Sequence, residues 1–124
     1  MGQRILIVDD EENFQDIYLR KFTESGFEAT AAADGASALK KIEEDQPDVV
    51  LLDLVMPQMD GFEVLRELGV MKLAKKPKVV LLTNLGQKEE IEKGLKLGAQ
   101  DYIIKAHLTP SEVVERVRTV LGTP

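Results

Sequence analysis

The stretch Asp48-Val49-Val50-Leu51-Leu52-Asp53-Leu54-Val55-Met56-Pro57 sets four consecutive apolar residues between two acids and stops at a proline. A run this short and this rich in branched residues reads as a strand, and its lack of polar alternation reads as a strand covered on both faces. Two more runs of the same kind stand on either side in sequence, Ile5-Leu6-Ile7-Val8 and Val79-Val80-Leu81-Leu82. Strands buried on both faces belong to parallel sheets flanked by helices, so these three are expected in the middle of one.

Working outward, five βα units can be counted, with strands at Arg4 to Val8, Phe27 to Ala32, Asp48 to Asp53, Lys78 to Thr83 and Asp101 to Lys105. Between them Phe14, Ile17, Tyr18 and Phe22 recur at helical spacing, as do Ala38, Leu39 and Ile42, and later Val113, Val117, Val120 and Leu121. Each set makes a stripe that faces the sheet. Ser25-Gly26 and Gly98 stand where helices should stop. Asp60 with Glu63, and Thr109 with Pro110 and Glu112, read as capping boxes that open helices. Gly69 to Lys76 lacks a regular period and reads as a loop or a frayed helix end.

The 124 residues suit one domain spanning 1–124, with no repeat or linker. No apolar run approaches the ~20 residues of a membrane-spanning helix, and Met1-Gly2-Gln3-Arg4 has no signal-peptide character. Cysteine is absent, which excludes disulfides and thiolate chemistry and makes the cytoplasm the default location. The net charge of -6 without a basic stripe argues against direct nucleic-acid binding and favours protein partners.

In open parallel α/β sheets the functional groups gather at the carboxyl ends of the strands. Here the first strand ends in Asp9-Asp10, the third in Asp53, the fourth in Thr83 and the fifth in Lys105. If strands one, three, four and five are neighbours, these five side chains converge. Carboxylates ~4.5 Å apart repel by roughly 3 to 4 kcal/mol at an effective dielectric of ~20, so a compensating charge is required. Mg²⁺ suits such a set, since it takes one or two carboxylates and completes its shell with waters and phosphate oxygens. Lys105 adds a compact cation and Thr83 a hydroxyl, a kit for phosphoryl transfer in which Asp53 is the nucleophile. Singly, each of these residues reads as a solvated turn or cap; the joint occurrence at four strand ends is what carries the functional reading.

The segments Ile5-Leu6-Ile7-Val8-Asp9-Asp10-Glu11, Leu51-Leu52-Asp53-Leu54-Val55-Met56-Pro57-Gln58-Met59-Asp60-Gly61 and Gly98-Ala99-Gln100-Asp101-Tyr102-Ile103-Ile104-Lys105 resemble the receiver domains of two-component response regulators. The resemblance covers essentially the whole chain, with its motifs in family order. It implies a doubly wound, three-layer α/β fold of the flavodoxin-like kind with strand order 2-1-3-4-5. It also implies that Asp53 accepts phosphate from a sensor histidine kinase or phosphotransfer protein, and that Asp9, Asp10, Asp53 and the Val55 backbone carbonyl hold Mg²⁺, with Mn²⁺ as a substitute. Thr83 and Lys105 would contact the phosphoryl oxygens, Thr83 and Tyr102 would act as the switch, and the surface of the last two helices and fifth strand would signal to a downstream target. Mg²⁺-dependent self-phosphorylation and slow autodephosphorylation are implied as well.

Two residues depart from the family pattern: Ala106 stands where a proline, commonly in a cis bond, follows the lysine, and Asn84 stands where a small residue usually follows the threonine. Asp101 and Arg116 match positions that pair in dimers of one DNA-binding branch, but Ile91 and Lys96 replace its usual charges, so that dimer is not expected. His107, the lone histidine, reads as a surface residue. Two other functions fit the same fold. An FMN-binding electron carrier would need a hydroxyl- and glycine-rich loop where Asp9-Asp10-Glu11-Glu12 stands; an aspartyl-phosphate phosphohydrolase would need an acid at Val55.

Overall fold

The structure, a computed structural model, describes residues 2–122; Met1 and Thr123-Pro124, the ends of the expected 1–124 domain, lie outside the described residues. Strands β1 (Arg4–Val8), β2 (Glu28–Ala32), β3 (Val49–Leu52), β4 (Lys78–Thr83) and β5 (Asp101–Ile104) alternate with helices α1 (Glu12–Glu24), α2 (Gly35–Asp45), α3 (Gly61–Val70), α4 (Lys88–Lys96) and α5 (Pro110–Leu121). All strand pairs are parallel and the order is β2-β1-β3-β4-β5, the flavodoxin-like arrangement expected from the resemblance. The three continuously apolar strands are the inner ones.

Because side chains of a strand alternate between faces, each inner strand feeds two cores. Leu6, Val8, Val50, Leu52 and Leu81 pack with Ala38 and Ile42 of α2 and with Phe62, Val64, Leu65 and Leu68 of α3. Ile5, Ile7, Val49, Leu51, Val80, Leu82 and Ile103 pack with Tyr18 and Phe22 of α1 and with Val113, Val114 and Val117 of α5. Three layers result.

Asp60 and Thr109 both close capping boxes with Glu63 and Glu112, and Pro110 stands in the first turn of α5. Gly26 and Gly98 adopt the positive φ expected of them, 95° and 114°. Several boundaries move. The second strand begins at Glu28 rather than Phe27, the third loses Asp48 and Asp53, and Lys105 leaves the fifth strand to open a 3₁₀ turn over Lys105–His107. Ile17, placed in the α1 stripe, is 49% exposed; the face that α1 turns to the core carries Phe14, Tyr18, Leu19 and Phe22. In the irregular stretch, α3 runs on to Val70 and no regular element covers 71–77.

Helix C-termini, and the unpaired carbonyls they carry, collect at the edge where the strands begin. Cationic side chains from other elements reach them. Arg4 of β1 donates from Nη1 to the Asp45 carbonyl (2.9 Å), Lys78 of β4 to the Val120 carbonyl (3.1 Å), and Arg118 of α5 to the Ser25 carbonyl beyond α1 (3.0 Å). Lys76 reaches the Gly69 carbonyl at 3.3 Å. Positive charge at a helix C-terminus offsets the helix dipole.

Candidate functional site

At the opposite edge, the order β2-β1-β3 places the reversal of chain direction across the sheet at β1, and the crevice there is the expected ligand position. Asp9 continues the β1 ladder by one step, its N–H donating to the Ala32 carbonyl at 3.1 Å. Its Oδ1 accepts from the Glu11 N–H at 2.9 Å, an Asx turn that orients the carboxylate. Gln15, one turn into α1, donates from Nε2 to the Asp9 carbonyl at 2.5 Å. Asp53 likewise extends β3, donating its N–H to the Val8 carbonyl at 2.9 Å, and its Oδ1 accepts from the Val55 N–H at 3.2 Å.

Close approach of α3 secures the loop after Asp53. A Cβ on Gly61 would lie 2.5 Å from the Asp53 carbonyl oxygen and 2.8 Å from Leu54 Cα, so only glycine fits, and the Gly61 N–H donates to the Leu54 carbonyl at 3.0 Å. On the other side of the crevice the 3₁₀ turn aims Lys105 inward. Its Nζ lies 2.7 Å from Asp9 Oδ2 and 3.3 Å from Asp53 Oδ2, with all three side chains at most 5% exposed. The peptide bond before Ala106 is trans.

Carboxylate oxygens of Asp9, Asp10 and Asp53 lie within 4.8 Å of one another, an acidic cluster that can hold a metal ion; Asp9 and Asp53 are buried and Asp10 is exposed. Hard oxygen donors with an open side are the donor set a magnesium-sized dication takes. Burial pushes the Asp53 carboxyl above the usual aspartate range; the Lys105 charge and the Val55 N–H pull it down, the Asp9 charge adds to the rise, and burial prevails. For Lys105 burial acts downward, but the hydrogen bond to Asp9 and the charges of Asp53 and Asp9 outweigh it, so its ammonium is held above the usual lysine value.

Thr83, at the end of β4, is fully buried, and its Oγ1 accepts from the Leu85 N–H at 3.4 Å. Tyr102 of β5 is half-buried outside the acidic cluster. Its hydroxyl donates to the Leu85 carbonyl at 2.5 Å, so it grips the loop that follows Thr83, and burial pushes its phenol up to about 12. Gly94 of α4 gives this ring room: a Cβ there would stand 2.5 Å from Leu81 Cδ1 and 3.5 Å from the Tyr102 ring. Asn84 is exposed beside this loop, and His107 is exposed in the 3₁₀ turn. Asp101 is taken within the chain, bonded twice by Arg116, 2.7 Å from Nε and 2.6 Å from Nη2.

Sequence reasoning missed Phe14, Gln15 and Gly61 as parts of this site. Phe14 was read as core, yet Lys105 Nζ lies 4.1 Å from its ring centroid. The available signal was position: both Phe14 and Gln15 fall in the first turn and a half after the acid pair.

The sequence matches the family model described as the response regulator receiver domain over residues 5–118. The chain belongs to that family. This receiver domain is 40% identical over 98% of its length to the alkaline phosphatase synthesis transcriptional regulatory protein PhoP of Bacillus subtilis (strain 168), of which it covers 49%. It is 36% identical to the chemotaxis protein CheY of Thermotoga maritima, covering 97% of the chain and 98% of that protein. The chain therefore spans about half the length of PhoP and nearly all of the chemotaxis protein. Among solved structures, the chemotaxis protein CheY4 of Vibrio cholerae superposes with a TM-score of 0.89 at 27% identity, covering 97% of this chain and 99% of that one. The receiver domain of Francisella response regulator 1452 does so with a TM-score of 0.88 at 30% identity, covering 98% of each chain. Receiver domains of response regulators work with histidine kinases or phosphotransfer proteins in two-component systems, and this one has an acidic pocket that can bind a metal ion. Among the described residues no helix is long and apolar enough to cross a membrane.

Proposed function

We propose that this chain, as a single receiver domain over 1–124, accepts a phosphoryl group on Asp53 from a phosphohistidine in a Mg²⁺-dependent reaction and thereby switches its α4-β5-α5 surface. The observation that carries the reading is the Lys105 ammonium lying between the buried carboxylates of Asp9 and Asp53 at the ends of β1 and β3. Two buried carboxylates sharing one enclosed ammonium, with the exposed Asp10 beside them, offer a nucleophile, a cation for the transferred group and oxygen ligands for a compensating metal ion.

Asp53 supplies the attacking Oδ: an O–P bond forms as the P–N bond to the donor imidazole breaks. Burial, which holds the Asp53 carboxyl above the usual aspartate range, makes its carboxylate more basic, which favours bond formation at phosphorus. Lys105 neutralises oxygen charge on the transferred group from a position set before the reaction, and the buried Thr83 hydroxyl donates to it on turning inward. Asp9, Asp10 and Asp53, with the Val55 carbonyl, would hold Mg²⁺, or Mn²⁺ in its place. When bound, that ion offsets the repulsion of the acids and of the incoming phosphate. Thr83 turning toward the phosphate draws on the loop that Tyr102 grips through Leu85, and this couples the site to the signalling face.

We assign the donor to a sensor histidine kinase or phosphotransfer protein and the output to a protein target in the cytoplasm, without direct nucleic-acid contact by this domain. Intact mass after incubation with acetyl phosphate and Mg²⁺ tests the reading. Wild type should gain one phosphoryl group and Asp53→Ala none. Label mapped to Asp9, Asp10 or His107, or undiminished uptake by Asp53→Ala, would overturn it.

A further inference from the structure

A lysine ammonium has three N–H donors. Among the described residues, Lys105 Nζ gives hydrogen bonds to Asp9 Oδ2 and Asp53 Oδ2, and its side chain is only 3% exposed, so bulk water is not a ready third partner. What lies close in addition is the Phe14 ring, 4.1 Å from Nζ to its centroid. A ring face carries the negative end of the aromatic quadrupole and attracts a cation at this range, most strongly where both are shielded from water.

Phe14 does not float. It stacks on Tyr18, one helical turn along α1, with centroids 6.3 Å apart and planes inclined by 10°, and Tyr18 is buried at 3% exposure in the α1–α5 core. Gln15 ties the same turn of α1 to the Asp9 carbonyl at 2.5 Å. The ring is thus fixed relative to the two carboxylates that share the ammonium with it.

The three partners of Lys105 differ in one respect. Phosphorylation converts the Asp53 carboxylate into an acyl phosphate, and metal binding draws charge from Asp9, whereas the ring is changed by neither. We propose that Phe14 is a positioning residue for Lys105, holding its flexible stem and ammonium in the crevice through the ring face while the carboxylate partners change. This rests on the reading of Asp53 as the phosphoryl acceptor. The competing role for Phe14 is plain packing of α1, which any apolar side chain of similar volume fulfils.

Replacing Phe14 with mono-, di- and trifluorinated phenylalanine separates the two, because fluorine drains the ring face while leaving its shape nearly unchanged. Two readouts are needed: the Lys105 ammonium resonance in ¹⁵N NMR without metal, and the rate of acetyl-phosphate-driven phosphorylation in Mg²⁺. The ammonium signal should weaken stepwise as proton exchange accelerates. The rate should fall stepwise to about a tenth in the trifluoro variant and in Phe14→Leu, with Phe14→Tyr within about threefold of wild type. The Mg²⁺ dissociation constant should stay within about twofold across the series, since Asp9, Asp10 and Asp53 are unaltered and Lys105 keeps its charge. An ammonium signal and a rate that ignore fluorination, or a Phe14→Leu protein equal to wild type, would overturn the proposal. Failure of wild type to take up phosphate on Asp53 overturns the acceptor reading alone; the Lys105 resonance still decides the role of Phe14.

Discussion

Replacing Lys105 with methionine keeps most of the stem volume and deletes the charge, which isolates what the cation does for the folded state. At 2.7 and 3.3 Å from Asp9 and Asp53, and with an effective dielectric of ~20, the gross attractions are roughly 6 and 5 kcal/mol. Desolvation of three buried charges offsets much of this, and removing one member of such a set typically costs about 3–5 kcal/mol because the others are left uncompensated. For a domain of this length, each kcal/mol moves Tm by roughly 3–5 °C, so Lys105→Met should melt roughly 10–25 °C lower at pH 7.5 in chelator. The deficit has a predictable pH dependence. Asp53 already binds its proton more tightly folded than unfolded, and losing Lys105, which pulls its pKa down, widens that gap. A carboxyl raised in the folded state contributes stability at low pH that is lost as pH rises through the folded pKa. The variant should therefore approach wild type as pH falls toward the ordinary aspartate range and fall behind it as pH rises. Mg²⁺ at ten times its dissociation constant adds ~1.4 kcal/mol to whichever protein it binds, and it should bind the variant more tightly. Calorimetry at matched ionic strength provides the assay. A variant that melts with wild type at every pH, or whose deficit grows on acidification, would refute the view that Lys105 neutralises these acids.

Asp53→Asn in chelator should be more stable than wild type by on the order of 1 kcal/mol at pH 7, the gain vanishing below the ordinary aspartate range where the raised native carboxyl is protonated anyway; urea titrations at the two pH values check this. Gly61→Ala should cost about 1–3 kcal/mol because its Cβ meets the backbone of Asp53 and Leu54, whereas a Cβ on Gly35 meets only the Met59 side chain, so Gly35→Ala should cost less than Gly61→Ala in the same denaturant assay. Tyr102→Phe removes the donor to the Leu85 carbonyl and should cost about 1 kcal/mol, and alkaline absorbance titration should lose the phenol that ionises at about 12.

The sheet was readable because its inner strands cannot be anything else: continuous apolar runs at 5–8, 49–52 and 79–82 need cover on both faces, and the alternating split into two cores follows from the pleat. Capping boxes at Asp60 and Thr109 were equally plain, since their side chains serve their own backbone. What escaped depends on contacts between distant segments. Periodicity marks Phe14 as apolar but cannot say that Lys105, ninety-one residues later, will meet its ring rather than another hydrophobe. Gly61 looks like a turn glycine in sequence; its real constraint is the backbone of Asp53 pressed against it. Lys105 was expected as the last residue of a strand, yet the 3₁₀ turn that it opens is part of how a lysine beyond the sheet reaches back between two carboxylates. α4 carries no apolar stripe comparable to the others, and among its residues only Gly94 is fully covered.

The cations that reach helix carbonyls where the strands begin have a mechanical consequence. Arg4, Lys78 and Arg118 fasten α2, α5 and the end of α1 to elements 41, 42 and 93 residues away, all at one rim of the molecule. A body riveted along one rim deforms like a fan, opening and closing at its free border while the handle holds its spacing. Spin labels paired across the handle should report constant distances on phosphorylation, and those placed beyond Thr83 and above α4 should carry the displacement.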